Sequence, residues 1–260
     1  MSTSLELALL SCLLLGLRHG FDYDHLAAIT DITSVQRGWR EGMGLGLLYA
    51  LGHALTVAVL GIAAISLHLP IPQRLDAVGE RLVGATLIAL AVYVAVTLWR
   101  SRKHLPHSEN DSHTHDHAQT RSRIALLISG ARYAHWGVRR LFEPARPKPK
   151  PFAFTYDRSS VFLVGIIHGL GAETPSQLGL FLLTAHLGGT QRGLLGLGCF
   201  LVGLLLMNTL MTASASGVFA GSAYRPRVQL AVTSLTAAYS LIVGTIFLFG
   251  LSERLPQLTR

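Results

Sequence analysis

The chain has 260 residues, half of them hydrophobic and only 14 % charged, against roughly 25 % charged in an ordinary soluble domain, so it reads as a membrane protein. Its formal charge of +8 does not point to nucleic acid, because the basic residues lie between apolar runs, where they act as topology determinants. Cys12 and Cys199 both fall inside apolar stretches, which excludes a secreted-type disulfide framework and leaves them as small core hydrophobes.

Six apolar segments are long enough to span a bilayer, near residues 4–30, 43–68, 78–99, 160–187, 193–219 and 228–250; a hydrocarbon core of roughly 30 Å needs about 20 helical residues. Runs of this length without strict alternation are helical, because in lipid the backbone must satisfy itself. The expected fold is therefore an all-α polytopic membrane protein. The first run has no basic segment before it and no small-residue cleavage pattern after it, so it reads as a span and not as a cleaved signal peptide.

The first span carries GLRHGFDYDHLAAI, with His19, Asp22, Asp24 and His25 at its end. Ionisable groups at membrane depth cost several kcal/mol each unless paired, solvated or bound, which makes them a functional hypothesis by default. On an unbroken helix His19, Asp22 and His25 share one face and Asp24 points away; an interruption at Gly20 brings Asp24 in as well. Imidazole nitrogen with carboxylate oxygen suits nickel, cobalt, zinc or copper better than magnesium or calcium. The competing reading is a proton relay, or an internal ion-pair network with Arg18.

In the second span His53 lies in LGHALTV with no charged residue near it in sequence. A lone buried histidine is more often a packing residue than a ligand, yet its depth lets it meet the first-span cluster. The stretch 100–159 that follows the third span is polar and rich in Arg and Lys, which places it in the cytoplasm under the positive-inside rule, with both termini outside. It holds His104, His107, His113, His115 and His117 among acidic residues, a tract able to bind metal weakly as a buffer, sensor or release site. Within it, 123–142 reads as a basic amphipathic helix, lying on the anionic inner leaflet or packed on the cytoplasmic helix ends. A proline-rich linker, PARPKPKP, comes next.

The fourth span contains His168, Glu173, Thr174 and Gln177, where Gly169, Gly171 and Pro175 weaken helix continuity. Non-helical backbone at this depth lines a cavity or is buried in protein, so these residues are expected along a pathway or gate; the alternative is interhelical hydrogen bonding. Asn208 of the fifth span is open to the same two readings. GLRHGFDYDH at Gly16 aligns without gaps to GIIHGLGAET at Gly165, and YALG at Tyr49 aligns loosely to FLVG at Phe200. Two three-span repeats, 1–99 and 160–260, must insert with opposite orientation, an architecture of secondary transporters whose broken helices hold substrate near the midplane.

These motifs resemble the nickel/cobalt transporter family, including its urease-associated branch. HGFDYDH is similar to the HX4DH signature, with His19, Asp24 and His25 in the matching places, and LGHAL at Leu51 resembles the second motif, LGHS. GLGAETPSQ at Gly169 and GLLLMNT at Gly203 are similar to two later motifs; Asn208 stands where an Asp is frequent and supplies no negative charge. The resemblance implies divalent nickel or cobalt as substrate, the first-span cluster as essential, and a central cytoplasmic loop. Family members often have eight spans, two more than counted here.

The expectation is a multi-pass permease of the cytoplasmic membrane that moves Ni2+ or Co2+ inward through a site built from His19, Asp22, Asp24, His25 and His53. The metal is substrate, and no prosthetic group or nucleic-acid partner is expected. No P-loop is present, so this chain is not expected to hydrolyse ATP. Efflux of the same metals is the alternative, and a membrane metalloenzyme the less favoured one, since no HExxH pair occurs. A metallochaperone or a homo-oligomer is left open.

Overall fold

The computed structural model describes residues 3–36, 38–67, 73–103, 157–171, 189–223, 225–252 and 255. Among them are helices α1 (Thr3–His19), α2 (Tyr23–Ser34), α3 (Trp39–Leu67), α4 (Gln73–Lys103), α5 (Arg158–Leu170), α6 (Thr190–Ser222) and α7 (Pro226–Leu248), and no strand. Residues 1–95 and 157–260 form one compact unit and 96–156 another, of which only 96–103, the end of α4, is described.

Among the described residues, four helical stretches are long and apolar enough to cross a bilayer: Trp39–Leu67, Ala77–Trp99, Thr190–Ser222 and Pro226–Leu248. They match the expected second, third, fifth and sixth spans to within a few residues. The expected first span is not one rod. Its chain breaks between His19 and Tyr23, and α1 and α2 meet at a bend of 50°, so the pair makes a fifth candidate span. Of the fourth expected span, α5 covers 13 residues, about 20 Å at 1.5 Å per residue. Residues 172–187 of that span lie outside the described residues.

Large apolar side chains occur on both the buried and the outward faces of the helices, and small residues mark the closest contacts. α3 turns Leu51, Leu55, Val59 and Ile62 outward and buries Gly42, Gly46, Gly52, Gly61, Ala50 and Ala54. In lipid there is no hydrophobic gain from hiding leucine, so association relies on close approach of small residues and on interhelical polar contacts.

That close approach follows a reciprocal pattern. At Gly16 a Cβ would run into the carbonyl of Phe200, and at Gly203 into that of Leu13, which locks α1 against α6. At Gly165 it would meet the carbonyl of Tyr49, and at Gly52 that of Phe162, which locks α3 against α5. Gly16 and Gly165, and likewise Gly52 and Gly203, are the residues matched in the two aligned sequence segments. Gly20 fits against Leu204 and Met207, as its counterpart Gly169 fits against His53 and Thr56. α3 and α6 cross antiparallel, with Gly42 on Ser216, Gly46 on Thr212 and Gly61 on Leu197. α7 closes over α2 and, through Gly84 and Gly244, over α4.

Candidate metal centre

The break in the first span puts the end of α1, the start of α2 and the middle of α3 around one point. Gly20 permits it by letting the turn rest on α6, and Phe21 and Asp22 close the turn through backbone bonds to Arg18 and His19. His19, the last residue of α1, His25 in the first turn of α2 and His53 of α3 are all buried, and each offers a ring nitrogen within 4.8 Å of the others. His19 and His53 approach with their Nε2 atoms 3.4 Å apart, while the ring centroids of His25 and His53 are 4.4 Å apart and those of His19 and His25 4.8 Å.

Nitrogens bound to one divalent ion at about 2.0–2.1 Å sit roughly 3.3 Å apart in a tetrahedron and never more than about 4.2 Å apart. The 3.4 Å pair already has that spacing. Closing the widest separation takes several tenths of an ångström of ring movement. The valences of these rings are also telling: both nitrogens of His25, and Nδ1 of His53, have no hydrogen-bond partner although fully buried. Buried polar groups are seldom left so, and three converging imidazoles, two of them with unpartnered nitrogens, form a nitrogen pocket suited to a late first-row cation.

The two carboxylates stand behind the rings. Asp22 Oδ2 accepts from His19 Nδ1 at 2.9 Å, which turns Nε2 and its lone pair toward His53. Asp24 Oδ1 is 3.2 Å from His25 Nδ1, without the alignment of a hydrogen bond. In the Asp22–His19 pair the bond is of the kind that fixes the tautomer and orientation of ligating histidines in metal sites, whereas Asp24 offers His25 a nearby negative charge. Asp22 is half-exposed and Asp24 buried. The single-face geometry of an unbroken helix therefore does not apply: the restart of the helix at Tyr23 places each acid beside its own histidine.

His168 of α5 is buried beside this cluster but is differently occupied. Thr86 of α4 donates its hydroxyl proton to the Val83 carbonyl at 2.8 Å, so its oxygen accepts from His168 Nε2–H at 2.7 Å. Nδ1 of the neutral ring then accepts from the Tyr49 hydroxyl at 2.8 Å. Both nitrogens are spent, and Tyr49, one turn before His53 on α3, is thereby fixed with its ring edge-on to His25 at 6.1 Å. Asn208 of α6 is fully buried with no hydrogen-bond partner on either amide atom. Glu173, Thr174 and Gln177, and His104, His107, His113, His115 and His117, lie outside the described residues.

Sequence reasoning missed three residues. Tyr49 and Thr86 carry no signal in isolation, being ordinary constituents of apolar helices. Asp31, fully buried on α2, was detectable as an acid in LAAITDITS, one residue beyond the expected end of the first span.

Apolar helices with outward-facing leucines, a broken span and three imidazoles gathered at the break describe a multi-pass membrane protein with a buried histidine cluster that could hold a metal ion. Residues 5–255 match the family model NicO, described as high-affinity nickel-transport protein. The chain belongs to that family. It is similar to the cobalt transport protein NhlF of Rhodococcus rhodochrous, with 28% identity over 94% of this chain and 70% of the relative. It is also similar to the high-affinity nickel-transport protein NixA of Helicobacter pylori, with 25% identity over 93% and 74%, and to the urease accessory protein UreH of a Bacillus species, with 25% identity over 91% and 88%. No solved structure matches the chain.

Proposed function

We propose that this chain is a permease that carries Ni2+, with Co2+ as a second substrate, into the cell across the cytoplasmic membrane. The observation that carries the reading is the triad of His19, His25 and His53, whose ring nitrogens converge within 4.8 Å in a buried pocket at a broken span. In this reading the three imidazoles replace the ion's water, Asp22 and Asp24 hold two of them and supply the compensating charge, and Asn208 lines the route. Family membership and the names of the relatives support nickel as the cargo.

Transport then proceeds by alternating access of two three-span repeats, 1–99 and 160–260. The reciprocal glycine contacts support this: each repeat's first helix leans on the other repeat's second helix at matched positions, as a pseudo-twofold axis requires. His168, Glu173, Thr174 and Gln177 would serve the gate from the second repeat. The loop 100–159, cytoplasmic by its basic charge, would take released metal on its five histidines. Relatives named for urease and hydrogenase nickel handling make metalloenzyme maturation the natural destination of the ion.

The test is metal flux into proteoliposomes for nickel, cobalt, zinc and manganese, with His19→Ala and Asp24→Asn beside the parent chain. Nickel flux is expected in the parent and lost in both variants; unchanged flux in both refutes the site. Because ligation needs neutral imidazole, flux should fall as pH drops through about 6.5, and a flat profile from about pH 5 to 8 counts against histidine ligation. Cell-associated radioactive nickel fixes direction, rising on expression for uptake and falling for export.

A further inference from the structure

Asp31 is a carboxylate at 0% exposure whose two oxygens have no hydrogen-bond partner. It lies on α2 seven residues after Asp24, so the two acids share one stripe of the helix about 10 Å apart, with the fully buried Ala27 and Ala28 between them. Ser240 of α7 stands close enough to interact weakly with the carboxylate, while its hydroxyl donates to the Ala27 carbonyl at 3.4 Å.

Among the described residues, no cation answers Asp31 from the helices packed on α2. Arg40 and Glu41 at the start of α3, Arg192 of α6 and Arg227 of α7 are all exposed. His53 and Tyr49 of α3 belong to the imidazole cluster and to His168. Tyr239 of α7 gives its hydroxyl to the Tyr23 carbonyl at 3.3 Å, and Cys199 of α6 packs in the apolar cluster around Cys12. A dry carboxylate with no well-made hydrogen bond and no counter-charge among the described residues favours taking up a cation, and the smallest that needs no further ligands is a proton.

We propose that Asp31 is the proton-carrying group of the transport cycle, holding a proton while the imidazole triad is empty and releasing it when a divalent cation loads. The coupling is electrostatic. A metal ion at the triad lies near the Asp24 end of the same buried stripe, where charges are poorly screened, so a loaded triad and a neutral Asp31 disfavour each other. One proton leaves the carboxyl for water on loading and returns on release. This inference rests on the permease reading and adds its coupling ion.

The experiment is calorimetric titration of the purified full chain with Ni2+ in buffers of different ionisation enthalpy. It is run at about pH 6, where a proton held by the acid is still in place, and compares the parent with Asp31→Asn, so that protons released by the histidines are common to both proteins and cancel. The asparagine mimics the protonated acid in size. Nickel is expected to bind both, with about one proton fewer released from the variant, and a proton gradient is expected to alter nickel flux in parent vesicles but not in variant vesicles. Equal proton release in the two proteins overturns the assignment, and so does nickel flux in the parent that follows a sodium gradient and ignores a proton gradient. If Asp31→Asn binds no nickel, Asp31→Glu decides: proton release at the parent's level supports the role, and its loss in a variant that still binds nickel overturns it. Absence of nickel binding by the parent itself would fail the permease reading first, and this one with it.

Discussion

His19 and His168 occupy matching places in GLRHG and GIIHG, and each is buried where a glycine lets its helix touch a partner. Yet one faces two further imidazoles, where we propose that the ion is held, and the other faces hydroxyl groups. His19 has its Nδ1 on Asp22 and its Nε2 facing His53, with the ring stacked 5.7 Å from Phe200. His168 has Tyr49, aligned with Phe200, on one nitrogen and Thr86 on the other. The same backbone scaffold thus surrounds one histidine with imidazoles and a carboxylate and the other with hydroxyls, according to the side chains on the neighbouring helices. Function in this fold is set by the polar decoration of a symmetric pair of crossings, because the crossings themselves are fixed by backbone contacts that side chains cannot alter.

The largest expected effect breaks this contrast from the open side. His25→Ala or His53→Ala removes one of three nitrogens and leaves too few donors to displace the ion's water, so nickel affinity should fall by more than about 100-fold, read by equilibrium binding to purified protein. One step smaller, Asp24→Asn should weaken binding about 10- to 100-fold, the usual range for the partner of a ligating histidine. Retention of full affinity in either variant would mean that the ion is held elsewhere.

How much of this was legible in the sequence differs between the halves. The apolar runs gave four of the spans closely, because length and hydropathy are direct consequences of bilayer thickness. His19 and His25 were visible because acids and imidazoles in an apolar run are conspicuous. The bend between α1 and α2 was foreseen as an interruption, but the side of the site on which each acid would fall depends on how the chain turns at Gly20, which no periodicity encodes. His53 is marked only by the LGHAL motif, with no charged residue near it in sequence, and its approach to His19 is a product of how α1, α3 and α6 cross. Tyr49 and Thr86 were invisible for the same reason: a hydroxyl in an apolar helix acquires meaning only when another helix brings it a partner.

A subtler prediction sharpens the contrast from the closed side. Tyr49→Phe makes α3 resemble α6 at Phe200 and leaves Nδ1 of His168 buried without a donor, which should cost about 1–3 kcal/mol of stability. Nickel affinity, measured on the same preparation, should change only a few-fold, since no ligand is removed. An affinity loss as large as that of His53→Ala would show that His168 and Tyr49 hold the ion directly.

The smallest effect separates two aspartates that sit in the same backbone conformation. Asp22 precedes α2 with φ −68° and ψ 161°, and Asp157 precedes α5 with φ −78° and ψ 162°. Both are N-cap positions, but only Asp157 caps: its carboxylate accepts from the Ser160 N–H at 3.1 Å and from the Ser159 hydroxyl at 2.5 Å, whereas Asp22 makes no side-chain cap bond and turns back to His19. The Ser159 hydroxyl first, then Ser160, holds the exposed Asp157 carboxyl below its ordinary range. Its contribution is therefore fully present above the unfolded value of about 3.9 and is lost as pH falls through the lower folded value. Asp157→Ala should loosen the first turn of α5 by about 1 kcal/mol, seen as faster amide hydrogen exchange there at neutral pH, with nickel affinity untouched. Asp22→Ala should do the reverse, leaving exchange at the start of α2 nearly unchanged while nickel affinity drops, because that carboxylate has been taken from helix capping to orient an imidazole. Equal effects of the two substitutions on metal binding would dissolve the distinction between a structural and a functional aspartate.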